Sequence, residues 1–249
     1  MQHDHSSHIA VRIQNLSKTF SIKKNRPTTI RERLYSIVSS KNGRELKALR
    51  NVNFSVRKGE TLGIIGGNGS GKSTLLFIIL GALKADTGSK IYSKGKILRL
   101  ALGMGMDKNL SARDNIYING SLLGLSFRSI GSKFDEIVNF AGVDNFIDSP
   151  LKHFSKGMKA RLNFSIAMHT DADIILLDEF FGGVGDEEFK KKSDLAFKTN
   201  ILNQKTIIIV SHSLKLIRTY SDRVIWLENG EIREIGDPQL VTTNYKNSI

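Results

Sequence analysis

Short apolar runs, separated by glycine and polar turns, organise this chain. Ile9–Ile13 and Val52–Val56 alternate apolar with polar positions, the period-two pattern of half-buried strands. Thr61–Ile65 (TLGII), Asp173–Leu177 (DIILL) and Thr206–Val210 (TIIIV) are almost continuously apolar. Runs buried on both faces belong to parallel sheets covered by helices. A glycine-rich stretch and an apolar helical run, Ser73–Leu83, follow the first of these. Residues 89–101 hold two more short strands around Lys94-Gly95, and from about 110 to 170 the period turns helical. Asn229-Gly230, between Arg223–Leu227 and Glu231–Ile235, is a hairpin signal. A polar, basic insertion over about 21–46 carries helical spacing at Ile30–Val38. The pattern predicts an α/β chain with a mostly parallel core sheet, an antiparallel β edge and a helical subdomain over about 108–170. All of it is expected in one domain, 1–249.

Composition removes several chemistries. Of 249 residues, 40% are hydrophobic, enough to bury a sizeable core and exclude overall disorder. With no Cys, disulfide frameworks, thiol nucleophiles and Cys-ligated metals are excluded. No apolar run approaches the roughly 18–20 residues that span a bilayer. The start, MQHDHSSHIA, lacks the apolar core of a secretory signal. Any membrane role is therefore expected through a partner or a surface.

Lys and Arg number 37 against 24 Asp and Glu, a formal charge of +13. Ten Lys/Arg and two Glu fall between Lys18 and Arg50. No aromatic interleaving marks a base-stacking surface there, so nucleic acid is the less favoured partner and an anionic membrane surface the more favoured. A solvated loop is the plain alternative. His3, His5 and His8 lie in a polar tail, which is expected to lack the order a metal site needs.

Gly66, Gly67, Asn68, Gly69, Ser70, Gly71, Lys72, Ser73 and Thr74 fit G-x-x-x-x-G-K-[ST] between a predicted strand and a predicted helix. Glycines let successive N–H groups face phosphate oxygens, and the helix N-terminus adds its dipole. Lys72 suits the β/γ-phosphates, and the Ser73 hydroxyl suits Mg²⁺. Ile174–Glu179 reads as a buried strand ending in two acids, Asp178 and Glu179, where side chains face a ligand crevice. Asp178 there suits Mg²⁺, and Glu179 a general base for an attacking water. His212, after the strand over 206–210, is placed to hydrogen-bond a γ-phosphate. Acids and a histidine leaving buried strands for solvent are the plain alternative.

Phe154-Ser155-Lys156-Gly157-Met158 resembles the signature motif of ATP-binding-cassette ATPases, usually Leu-Ser-Gly-Gly-Gln. Phosphate loop, signature, Asp-Glu strand and histidine follow that family's order over nearly the whole chain. The resemblance implies an ATPase that uses ATP and Mg²⁺ and works as a homodimer. Phe20 would stack on adenine. Ser155, Gly157 and Met158 would contact ATP held by the other subunit. Glu179 would be the base, His212 the switch histidine, and Asp186 would couple the two sites.

Lys156 and Met158 depart from the usual signature, and the usual glutamine near the link to the helical subdomain is not evident. A narrower branch is similar in these respects: ATPase subunits of bacterial exporters of O-antigen, capsular polysaccharide and teichoic acid. It shares the Ser-x-Gly-Met-x-x-Arg-Leu run at Ser155–Leu162, the Asp-Glu…Val-Gly-Asp run ending at Asp186, and part of a pattern at 102–116. The resemblance implies a separate membrane-spanning permease and a lipid-linked polysaccharide moved through it, with O-antigen first and capsule or teichoic acid next. It places the chain peripherally on the cytoplasmic face of the bacterial inner membrane. Ending at Ile249, the chain is expected to lack the carbohydrate-binding domain that some members carry. A cassette protein acting on ribosomes or nucleic acid, and a nucleotide-binding regulator without turnover, are the competing readings.

Overall fold

The computed structural model describes residues 8–22, 44–100, 105–178 and 187–248. Two sheets share one apolar layer. Strands β1 (Ile9–Ile22), β2 (Arg44–Arg57) and β4 (Lys90–Ser93) form an antiparallel sheet ordered β2-β1-β4. Strands β3 (Thr61–Ile65), β5 (Ile97–Leu100), β6 (Ile174–Asp178), β7 (Thr206–Val210), β8 (Arg223–Glu228) and β9 (Glu231–Gly236) form the second sheet, ordered β5-β6-β7-β3-β8-β9. Its neighbours run parallel except at the β8–β9 edge.

The continuous apolar runs are the strands covered on both faces, as their composition requires. Leu62, Ile64, Ile174, Leu176, Ile208, Val210, Ile225 and Leu227 point to one side. There they meet Val11, Ile13, Leu16, Leu49 and Val52 of the antiparallel sheet and Leu75, Leu76, Ile78 and Ile79 of helix α1 (Lys72–Ile79). The alternate residues, including Ile65, Ile175, Leu177, Ile207, Ile209 and Trp226, face the other side. That side is covered by helices α4 (Lys156–Ala167), α5 (Glu187–Phe197), α6 (Leu214–Tyr220) and α7 (Pro238–Ser248). A third cluster joins α4 to α2 (Ala112–Leu122) and α3 (Phe127–Ala141) through Ile116, Ile130, Ile137, Leu162 and Ile166.

The elements differ from the sequence expectation in three places. β1 and β2 are each 14 residues long, well beyond the five-residue alternating runs. Register shifts between Ile13 and Thr19, with Asn15 at φ 52°, break the period-two pattern while pairing continues. Both strands thereby extend into the range assigned to the basic insertion; the segment with helical spacing, Ile30–Val38, lies outside the described residues. α1 ends at Ile79 rather than Leu83, because the Ala82 and Leu83 N–H groups fold back onto Phe77 O. Helices α5, α6 and α7 were not anticipated. α7 begins at Pro238 behind Asp237, whose Oδ1 accepts from the N–H groups of Gln239 and Leu240.

Candidate nucleotide site

The phosphate loop leaves the C-terminal end of β3, where the chain continues toward the β5 edge while that of the neighbouring β7 continues toward β8 on the other side. Register brings the other groups to the same edge. Ile64 pairs with Val210, and Val210 pairs with Asp178. Asp178 and the residues that follow β7 therefore emerge beside the loop, although they are far apart in sequence.

A cavity of about 530 Å³ opens there. Phe20, Asn68 to Thr74, Asp178 and His212 all line it. Gly66 and Gly71 shape the loop's approach. A Cβ at Gly66 would lie 2.1 Å from Leu227 O, and one at Gly71 would lie 2.6 Å from Ala48 O. With φ at 151° and 108°, neither position suits a side chain. Lys72 is buried, and its Nζ donates to Gly66 O at 2.8 Å and Gly67 O at 2.9 Å. The ammonium is thus held over the loop by neutral carbonyls, an arrangement it can exchange for anionic oxygens. Ser73 and His212 are exposed at the cavity. Phe20 is half-buried, opposite Leu46 in the β1–β2 pair, with Lys18 Nζ 5.3 Å from its ring centroid.

Asp178 is the one acidic residue among the described residues lining the cavity. Its Oδ2 accepts from Arg99 Nη2 at 2.7 Å, and its side chain is 16% exposed. No group of three or more His, Asp or Glu among the described residues forms a metal cluster. One carboxylate and one hydroxyl facing a polar cradle fit Mg²⁺ nonetheless, since Mg²⁺ often takes one or two protein ligands and completes its shell with phosphates and water.

The signature residues stand elsewhere. Ser155 caps α4, its Oγ accepting from Met158 N at 3.1 Å. Ser155 is exposed, and Gly157 and Met158 follow in the first turn. None of the three lines the cavity. Glu179 and Asp186 lie outside the described residues.

Several lining residues were absent from the sequence reading. Leu46, Lys47, Ala48 and Arg50 of β2 and Asn229 at the β8–β9 turn border the cavity. The turn is tied to the loop: Gly230 N donates to Ser70 O at 3.0 Å, and Arg50 N donates to Gly230 O at 2.8 Å. The Asn-Gly signal foretold the turn but not its neighbour. Nothing in the sequence marked Arg99.

The ABC transporter family profile matches residues 49–182. The chain is 38% identical over 238 residues to the teichoic acids export ATP-binding protein TagH of Lactococcus lactis, covering 96% of this chain and 51% of the relative. It is 41% identical over 212 residues to the O-antigen export system ATP-binding protein RfbB of Myxococcus xanthus, covering 84% and 48%. It thus spans about half the length of these two relatives. The RfbB of Klebsiella pneumoniae is 36% identical, over 83% of this chain and 84% of that protein. Among solved structures, an ATP-binding subunit of an ABC transporter superposes with a TM-score of 0.70 at 18% identity, over 95% of this chain and 93% of that one. The chain belongs to the ABC transporter family, in the branch that contains the O-antigen and teichoic acid export ATP-binding proteins.

Proposed function

We propose that this chain is the ATP-hydrolysing subunit of an exporter that moves lipid-linked O-antigen polysaccharide across the bacterial inner membrane. It acts as a homodimer beneath a separate permease, on the cytoplasmic face. One observation carries the reading: the cavity gathers a base platform, a phosphate cradle, a carboxylate and a histidine, while the signature serine is exposed outside it. A site so divided is completed when a second copy brings Ser155, Gly157 and Met158 to the same nucleotide.

In this reading adenine stacks on Phe20. The loop from Gly66 to Thr74 and the Lys72 ammonium bind the phosphates. Ser73 and Asp178 hold Mg²⁺, which when bound neutralises charge on the phosphate oxygens. Glu179 takes a proton from the attacking water, His212 hydrogen-bonds the γ-phosphate, and Asp186 links the two sites of the dimer. Preorganised N–H groups and cations placed where negative charge gathers supply most of the catalysis in phosphoryl transfer. No helix among the described residues is long and apolar enough to cross a membrane, which suits a peripheral subunit. The basic residues near Lys23, Lys24 and Arg26 suit an anionic leaflet.

Teichoic acid is the second reading for cargo, favoured by the TagH relative, whose match covers 96% of this chain. Affinity capture of the Glu179→Gln chain with ATP from detergent-solubilised native membranes tests both. Recovery of a permease with lipid-linked polysaccharide supports the exporter, and the glycan identifies the cargo. Recovery of ribosomes or nucleic acid without a membrane protein refutes export.

A further inference from the structure

Asp178 already has a cation. Arg99 lies on β5, opposite Leu176 in the parallel β5–β6 pair, and reaches forward to the end of β6. Its Nη2 donates to Asp178 Oδ2 at 2.7 Å. Its Cζ stands 5.0 Å from the ring centroid of Phe77 on α1, the helix that follows the phosphate loop. The two side chains are 23% and 16% exposed. This differs from a surface ion pair, in which solvent screens both heads.

We propose that Arg99 is an internal counter-cation for the metal position. It neutralises Asp178 while no nucleotide–metal complex is bound, and it competes with the divalent cation for that carboxylate. The inference rests on the reading of Asp178 as a metal ligand. A carboxylate shielded from water needs a compensating charge, and in the free protein the guanidinium supplies it. An arriving divalent cation must either displace Arg99 or share Asp178 with it. Displacement loses a charge-assisted hydrogen bond, and sharing sets two cations close together. Both weaken metal capture. Arg99 is also built to let go. Its Nε is buried with no hydrogen-bond partner among the described residues, so turning the guanidinium away from Asp178 can return a bond there. Phe77 offers a flat surface over which the group can turn.

The test uses adenylyl imidodiphosphate, titrated calorimetrically at stepped MgCl₂ concentrations and in EDTA, against wild type, Arg99→Met and Arg99→Lys. Methionine keeps a long apolar chain on Phe77 without the charge. The Mg²⁺ concentration that gives half of the affinity enhancement should fall about tenfold in Arg99→Met, the scale on which one charge a few Å away biases a carboxylate. Affinity in EDTA should not rise in Arg99→Met, because the uncompensated Asp178 repels metal-free phosphates, and Arg99→Lys should follow wild type. Melting with MgCl₂ alone should show Arg99→Met stabilised at lower metal concentration than wild type. If Arg99→Met does not fold, Arg99→Gln carries the same expectations. An unchanged or higher Mg²⁺ requirement in the folded neutral variant overturns the proposal. Asp178→Asn separates the two levels. If it keeps the wild-type Mg²⁺ dependence, Asp178 is not a metal ligand and both readings fall. If it loses that dependence while the neutral Arg99 variant shifts nothing, only the role of Arg99 falls.

Discussion

Gly230, at the tip of the β8–β9 turn, supports the phosphate loop with its backbone. Its φ is 82°. Its N–H donates to Ser70 O at 3.0 Å, and its carbonyl accepts from Arg50 N at 2.8 Å. A Cβ there would lie 2.7 Å from Ala48 O and 3.0 Å from Ala48 C. Gly230→Ala therefore acts twice. Holding a side chain in the left-handed region costs about 1–2 kcal/mol. The clash is with backbone, so the tip must move, and each of two hydrogen bonds stands to lose about 0.5–1.5 kcal/mol. Allowing for partial retention of those bonds, the loss of stability is about 2–4 kcal/mol. Ser70 belongs to the phosphate loop and Asn229 lines the cavity, so part of the loss falls on binding. About 1 kcal/mol of it in the loop corresponds to ATP affinity reduced about fivefold. Gly142→Ala is the matched control, with φ 63° and no heavy atom within 4 Å of the added Cβ. It carries the left-handed cost alone, about 1 kcal/mol. Urea unfolding and calorimetric ATP titration on both variants provide the readings. If Gly230→Ala matched Gly142→Ala in stability and in ATP affinity, the turn would not support the loop and the reasoning would fail.

Three further outcomes are expected. Phe20→Ala should weaken ATP binding by about 1–3 kcal/mol, the usual loss of an aromatic platform under a base, while Phe20→Trp should retain it; equal affinities for wild type and Phe20→Ala would remove Phe20 from the site. Glu60, 8% exposed, accepts from Arg223 Nε at 2.6 Å and from Arg57 N at 2.7 Å, so Glu60→Ala should cost about 3 kcal/mol in urea unfolding, because it strands a half-buried guanidinium. Burial holds the His169 imidazole below its usual 6.5, with Glu136 opposing this and Lys133 adding to it. The unfolded chain then binds the extra proton first, so this contribution to stability is present above pH 6.5 and is lost as pH falls towards the folded value. Melting temperature should accordingly fall less steeply below that pH in His169→Gln, and identical pH profiles would contradict the assignment.

The core sheet was legible because its strands are buried on both faces. TLGII, DIILL and TIIIV need no partner to be read, and the glycine loop that follows the first identifies its own ligand. The antiparallel sheet was only half legible, since shifts around Asn15 destroy the alternation that marks a strand while leaving its hydrogen bonds in place. The covering helices were readable in principle. Ser213 caps α6 by accepting from Leu216 N, and Asp237-Pro238 opens α7, but short helices with few apolar positions carry a weak periodic signal. The loop, Asp178 and His212 were read from motifs and strand ends, and Phe20 from the family resemblance. Arg99 and Asn229 were not, because Arg99 reaches Asp178 only through strand register and Asn229 borders the cavity on a turn packed from another edge. Such contacts arise from tertiary structure and leave no local pattern.

In the proposed dimer one nucleotide is bound by the phosphate loop of one copy and the signature serine of another. Sedimentation of Glu179→Gln with Mg²⁺ and ATP, alone and combined with Ser155→Arg, tests it most directly. Glu179→Gln should form an ATP-dependent dimer, and the double variant should be a monomer that still binds ATP. A chain that stays monomeric with ATP bound, or a dimer indifferent to arginine at position 155, would contradict it.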